Sequence, residues 1–521
     1  MNKYFVLIFF FALQIFTSAN AQQMQMVKDL NPGSPSSYPR GLTVANSKLF
    51  FAADINSTGQ YKLFLTGGTS ATTQQLLGVD GSNIQNLIAY KNNIYFSCHD
   101  ATNGQELWVS DGTVAGTKLF MDIIPGSNGS YPEYFTVCNN KLFFRAVNPL
   151  GGYDMYVTDG TAAGTVLLQQ YVDVFNGLSD FGILNNSIYF RGVSGTGQGY
   201  GLWKSDGTLA GTQMVYANTA NGFIPGTQGC NTAQLNNKLY FSGSDFVYGT
   251  ELWVTDGTTA GTHIVVDIGT QSGGTFSGGS PFNLFVYNSL LYFTASDNAH
   301  GAELWVTDGT APGSHLVKDI LAGPSGSIPY HTALYNGLMY ITCWGSYQLW
   351  KSDGTAAGTQ LVHNIPDQAR FGALWNNKMY FTFGNAGDIW QSDGTPAGTS
   401  LFTASNSINP VTFSSLDIGF TEYNSSIYFS GSCSDITNGG YELTKLVATI
   451  PTSFSFTGNG NWSNPANWAG GIVPPSTLPS GSVVTINGAC ILDVAQHIAS
   501  GATLIVAAGK SLVINGSLII S

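Results

Sequence analysis

Charge is scarce in this chain. Only 9% of its residues are charged, and 18 Lys and Arg face 30 Asp and Glu for a net charge of −12. No basic run occurs, which excludes a nucleic-acid ligand, because such binding depends on clustered Lys and Arg. Past the first residues, no stretch reaches the ~18 apolar residues that a membrane helix needs. The six cysteines (Cys98, Cys138, Cys230, Cys343, Cys433 and Cys490) include no CxxC pair. They read as small buried thiols, with a bridge left open by their even number. The seven histidines (His99, His263, His300, His315, His331, His363 and His497) lack metal-ligand spacing. Neither a Gly-x-Ser-x-Gly elbow nor a phosphate loop is present, and no segment carries a helical period.

The opening residues have the pattern of a signal peptide. Lys3 supplies a positive start, residues 4–16 are apolar, and Ala19-Asn20-Ala21 forms a small-x-small cleavage site before Gln22. The expectation is a secreted or cell-surface protein with residues 1–21 removed near Ala21. With few charges, solubility must come from Asn, Ser, Thr and the 64 glycines, as suits an exported all-β chain.

What the chain does have is repetition. Seven times it writes a hydrophobic strand, then Asp-Gly-Thr, two residues, and Gly-Thr or Gly-Ser. Two of the copies run Glu106-Leu107-Trp108-Val109-Ser110-Asp111-Gly112-Thr113 and Glu251-Leu252-Trp253-Val254-Thr255-Asp256-Gly257-Thr258. The repeated carboxylates are Asp111, Asp159, Asp206, Asp256, Asp308, Asp353 and Asp393, spaced 40 to 52 residues apart. Periods of that size mark one supersecondary unit copied many times.

Each period reads as four strands. An Asn-rich two-residue turn joins the first two, as at Asn139-Asn140, Asn236-Asn237 and, in this reading, Asn92-Asn93; Asn tolerates the positive φ of tight hairpins. An aromatic strand follows, such as Ile94-Tyr95-Phe96. The Glu-Leu-Trp element is the third strand, and the fourth follows the Asp-Gly-Thr turn. Nine units carry the first three strands, or eight with one irregular unit, but the last lacks its fourth. Residues 24–33 supply the missing copy at the other end. A chain that opens with the strand its last unit lacks closes on itself, so residues 22–450 are expected to form a β-propeller of about nine four-stranded blades. In such a ring Leu107 and Trp108 point to opposite faces of the blade. Residues 451–521 change register: an Asn- and Trp-rich stretch with Trp462 and Trp468 precedes short apolar strands at 483–486, 491–494, 504–506, 512–514 and 518–520. That pattern is similar to segments that open parallel β-helix regions in bacterial surface proteins, and implies a small β-rich appendage.

The repeated phrase resembles the ELWxxDGT repeat family of exported bacterial proteins, many of them from Bacteroidota. The resemblance covers residues 24–447, with Gly67-Gly68-Thr69 as a degraded copy and Glu442-Leu443-Thr444-Lys445 keeping only the start of the motif. It implies a propeller-like repeat fold and no agreed activity. The Asp-Gly-Thr turn also resembles the Asp-box hairpin of sialidase-type propellers. It reads as structural, with the carboxylate accepting backbone N–H bonds across the hairpin and Gly supplying positive φ. Calcium is the rival reading, but such sites gather several acidic residues. Each turn has one, and the upstream Glu becomes Gly201 or Gln348 in two units.

The two faces of the ring should differ. One carries the short repeated turns; the other carries connections that vary from unit to unit, including residues 217–231, 269–283, 320–332 and 404–419. Function favours variable loops on a rigid scaffold. Tyr131, Tyr134, Phe223, Phe276, Phe282, Tyr330 and Trp344 are the candidate ligand-face aromatics, able to stack on sugars, clasp a peptide or simply plug the ring. The expected function is a non-enzymatic scaffold for extracellular glycan or protein, without cofactor. A polysaccharide-acting enzyme with paired carboxylates and a calcium-stabilised adhesin are the alternatives.

Overall fold

The computed structural model describes residues 22–31, 36–76, 82–169, 182–193, 200–217, 222–226, 232–269, 278–383, 388–402, 412–413, 419–432, 440–448, 453–464, 467–469, 473–474, 477–478, 481–498 and 500–520. They divide into two compact units, Met24–Leu446 and one that takes Val447–Ser521.

Nine small antiparallel sheets stand in a ring, a nine-bladed β-propeller. The eight-blade alternative is thereby set aside. The sheets begin in chain order at Arg40, Ser82, Glu133, Gly182, Ile224, Phe282, Pro329, Ala369 and Thr412; they are called blades 1 to 9 below. Closure is the one expected: Gln22–Lys28 is the outer strand of blade 9, hydrogen-bonded to Glu442–Ala448. Ser37 and Tyr38 both donate their N–H to the Tyr441 carbonyl at 3.1 Å. The Tyr423 hydroxyl reaches the Ser47 carbonyl at 2.7 Å, as Tyr90 reaches Asn140 across an ordinary junction.

The hairpin turns follow the Asn pairs. Asn139 and Asn140 have φ of 48° and 56°, and Asn236 and Asn237 of 51° and 58°, the doubly positive turn that matches strand twist. Blade 2 departs from the expectation. Its turn is Lys91-Asn92, with φ of 50° and 63°, and Asn93 already belongs to the next strand.

Packing between blades follows from strand alternation. In blade 2, Phe96 and Trp108 join Phe50, Ala52, Leu63 and Leu65 of blade 1. Tyr95, Leu107 and Val109 join Leu142, Phe144 and Tyr156 of blade 3. Leu107 and Trp108 thus serve opposite neighbours, as their alternation requires. The last junction repeats the arrangement, with Tyr428 and Leu443 against Leu49, Phe51 and Phe64. Cys98, Cys138 and Cys343 are free and buried in such layers, and Cys490 is free and buried in the core of the second unit; Cys230 and Cys433 lie outside the described residues.

All seven Asp-Gly-Thr turns share one hydrogen-bond pattern. Asp111 Oδ1 accepts the Thr113 N–H at 2.8 Å and the Thr113 hydroxyl at 2.7 Å. Gly116 then donates its N–H to that hydroxyl at 3.0 Å. The bonds close within the turn instead of crossing the hairpin as expected. They hold the Asp111 carboxyl below the usual range, the Thr113 hydroxyl contributing most. The second glycine of the motif is steric: a Cβ on Gly116 would lie 2.1 Å from Asp111 Oδ1. The first glycine receives the neighbouring blade. Gly309 has φ of +97°, and a Cβ there would meet the Tyr240 hydroxyl at 2.3 Å. Gly309→Ala is therefore expected to lower stability by about 1–3 kcal/mol. A wild-type denaturation midpoint in that variant would refute the account of the joint.

The second unit winds as a parallel coil. Ser453–Phe456, Val483–Ile486 and Thr503–Val506 stack in register on one side, and two further sheets of three strands complete the turns. Phe456, Trp462, Trp468, Leu478, Val484, Ile486, Leu492 and Ile498 fill its core. Sequence reading placed a strand at 491–494; the structure has Ala489–Leu492 and an additional strand, Ala495–Ile498. In the last turn Val506, Ile514 and Ile520 are exposed, although the residues beneath them, Ile486, Leu492 and Ile498, are buried.

Candidate functional site

Antiparallel order places the first-to-second and third-to-fourth turns at one end of every blade. The second-to-third turns and the crossovers to the next blade lie at the other. Those crossovers are less variable than their sequences suggest, because a buried carboxylate anchors four of them. Glu106 Oε2 accepts the Ile123 N–H at 3.1 Å and the Ser130 hydroxyl at 2.5 Å, and Oε1 takes the Ile124 N–H. Glu303 binds the N–H of Leu321 and Ser327 and the Ser327 hydroxyl. Glu442 does the same across the ring closure, with Leu30 and Ser37. Burial pushes all three carboxyls above the usual range against these hydrogen bonds.

Blade 5 differs. Glu251 accepts the N–H of Gly269 and Gly279, but glycine stands where the others have serine, and Oε2 has no hydrogen-bond partner among the described residues. Burial pushes its pKa up to about 7. The Glu of the motif is thus a loop clasp. Its partners lie up to 28 residues downstream or, for Glu442, 405 and 412 residues upstream, and no local pattern links them.

The clasp fixes the backbone from which the candidate aromatics project. Tyr131, directly after Ser130, has φ of +50° and is 54% exposed. Tyr134 lies in a bulge of the first strand of blade 3, with φ of +55°. The Arg145 guanidinium sits 4.5 Å from the Tyr134 ring centroid and 4.1 Å from that of Tyr153, paired with Glu133. Phe223 is corrected: it is 2% exposed and packs 4.6 Å from Trp253 in the core. Phe276 lies outside the described residues.

The other three aromatics come together. Tyr330 occupies the irregular position between Pro329 and His331 of the first strand of blade 7, and a bulge there re-aims its side chain. Trp344 follows the end of the paired second strand and donates its N–H to the Ile328 carbonyl at 2.9 Å. The Tyr330 and Trp344 rings stack at 3.5 Å and 10°, with Phe282 of blade 6 at 5.7 Å from Tyr330. His331 meets Tyr330 edge-on at 4.7 Å. Arg370, from the first strand of blade 8, lies 5.6 Å from the Trp344 ring centroid. Sequence reasoning missed His331 and Arg370 as site residues, because they fall in neighbouring columns of the first strand in two different blades and form no motif in either.

Four lysines and the arginines lie at opposite ends of the blades. Lys48, Lys141, Lys204 and Lys445 donate to carbonyls of Gly112, Gly207, Gly257 and Gly68 in the turns that follow the third strands. All four arginines of the chain, Arg40, Arg145, Arg191 and Arg370, lie toward the crossover end and approach an aromatic ring. Among the described residues, no three His, Cys, Asp or Glu side chains gather as a metal site would require.

No family model matches the chain, and no curated protein is similar to it in sequence. Among solved structures, the computationally designed Ika8 protein aligns at 13% identity and a TM-score of 0.37, over 70% of this chain and 96% of its own. Sqt1 of Saccharomyces cerevisiae aligns at 10% identity and 0.38, over 83% and 99%. Apo AztD from Citrobacter koseri aligns at 13% and 0.34, over 74% and 95%.

Proposed function

We propose that this chain is an exported, non-enzymatic member of the ELWxxDGT repeat family whose crossover face holds an extracellular glycan. The Phe282, Tyr330 and Trp344 cluster carries the reading. Aromatic side chains held by bulges and clasps on rigid blades provide surfaces for the apolar faces of sugars. The seven motif Asp side chains are bonded within their turns and four Glu side chains clasp crossovers, which supports binding over hydrolysis. A protein partner is the second reading, favoured by Phe246, Val247 and Tyr248, which are 59%, 47% and 39% exposed on the second-to-third turn of blade 5.

The test is a glycan array probed with the full chain and with Trp344→Ala. Retention of a defined glycan by the wild type and at least tenfold weaker retention by the variant is expected, with matching denaturation midpoints. An array on which the wild type retains nothing overturns the glycan reading.

A further inference from the structure

Two buried nitrogens at the edge of the aromatic cluster have no hydrogen-bond partner among the described residues. The Nε2 of His331 and the Nε of Arg370 are each shielded from solvent without a hydrogen bond. Buried polar groups are nearly always paired, and a buried guanidinium without a counter-charge is costly. The other arginines on this face are provided for differently: Arg145 is ion-paired with Glu133, and Arg40 reaches the Ile84 carbonyl at 3.4 Å while stacked 3.3 Å from the Tyr61 ring centroid. Arg191 also has an orphaned Nε, but it stands over Tyr200 with no second free donor described beside it. Among the described residues, it is beside Trp344 that a guanidinium and an imidazole lie near one another, 5.6 and 5.9 Å from its ring centroid.

The groups around this pair leave it positive or neutral. Ala369, next to Arg370, has its carbonyl filled by the Trp344 indole N–H at 3.1 Å and the Thr342 hydroxyl at 2.9 Å. The charge that bears on His331 is that of Arg370, and burial together with that charge pushes its pKa down to about 4. At neutral pH the imidazole is therefore uncharged and can present one N–H. Arg370 is half-buried and keeps solvent access, and its planar fork matches a carboxylate in two-point geometry.

We propose that Arg370 and His331 form a carboxylate-binding subsite at the junction of blades 7 and 8, so that the glycan recognised beside Tyr330 and Trp344 is acidic, of the uronic acid class. This rests on the glycan reading above. The carboxylate takes the guanidinium edge and the imidazole N–H, while the aromatic cluster flanks the sugar ring. The net charge of −12 opposes an anion at long range, so the affinity comes from contact with Arg370 on the face where the arginines are gathered. A neutral sugar would leave both donors unpaired, and that penalty supplies the selectivity.

The experiment is calorimetric titration of the full chain with oligogalacturonate, with the neutral galactose oligomer of equal length, and with acetate. Wild type is expected to bind the acidic oligomer at least tenfold more tightly than the neutral one, with affinity falling as salt rises. Arg370→Gln should weaken the acidic oligomer about tenfold or more and leave the neutral one unchanged, while Arg370→Lys recovers part of the loss. His331→Gln gives an independent reading should Arg370→Gln fail to fold. Arg145→Gln serves as the control on the same face. Equal binding of acidic and neutral oligomers overturns the subsite and leaves the glycan reading standing; binding of neither overturns both. Acidic binding unaffected by Arg370→Gln and His331→Gln also overturns it. Acetate competing as strongly as the oligomer overturns the sugar component and keeps only the anion.

Discussion

A chain lacking residues 22–31 is expected to lose about 5–9 kcal/mol of stability and to open its ring. The deletion removes Met24, Val27 and Leu30, which are 2%, 5% and 8% exposed, and each buried apolar side chain contributes about 1.5–3 kcal/mol. It also takes the Leu30 N–H from Glu442 and leaves Glu442–Ala448 as a bare edge. A loss of that size rivals the ~5–15 kcal/mol by which whole domains are stable. Denaturation with size-exclusion chromatography checks it: a lower midpoint and association through the open edge are expected. A monomer with the wild-type midpoint would mean that blade 9 does not depend on its borrowed strand.

The second large effect is electrostatic and concerns Glu251. Its folded pKa stands near 7, raised from 4.5 by burial. The folded state therefore holds a proton that the unfolded state has released between those values, and this group's contribution is lost as pH rises through that window. The shift corresponds to about 3 kcal/mol. Glu106, Glu303 and Glu442 act in the same direction. His331 opposes them, because its depressed pKa adds stability as pH rises from about 4 toward 6.5. The Asp-Gly-Thr carboxylates with lowered pKa weaken the fold only in stronger acid. The clean readout is thus a difference: the stability of Glu251→Gln relative to wild type should grow by about 3 kcal/mol between pH 4.5 and 8. A flat difference would mean that Glu251 is ionised throughout.

The blade count and the closing strand were legible because they rest on local chemistry. An Asn pair at a hairpin or an Asp beside Gly-Thr carries its whole reason within a few residues. The clasp was not legible, since Glu303 and Ser327 are 24 residues apart with a different connection in each blade. Glu was weighed only as a metal companion, although its partners are backbone N–H groups that no side-chain motif can announce. Phe223 misled for a related reason: an aromatic in a loop-like stretch is as available to the core as to a ligand, and Trp253 claimed it. Lys91-Asn92 shows the limit at a turn, where three suitable residues in a row left the register open by one. Tyr330 and Trp344 could be named as candidates from their loop-like surroundings, but the bulge that brings them into contact and the arginine beside them come from tertiary pairing.

The seating of one blade's aromatic ring against the next blade's turn glycine recurs at eight of the nine joints, from Phe50 on Gly112 round to Tyr428 on Gly68. Those eight joints share one lock, and only the joint of blades 8 and 9 departs from it, so the seat itself does not count to nine. Ring size then follows from the wedge angle each unit subtends. Duplication or loss of one whole unit would leave every remaining seam matched, which makes the circumference a heritable variable separate from the grip between neighbours.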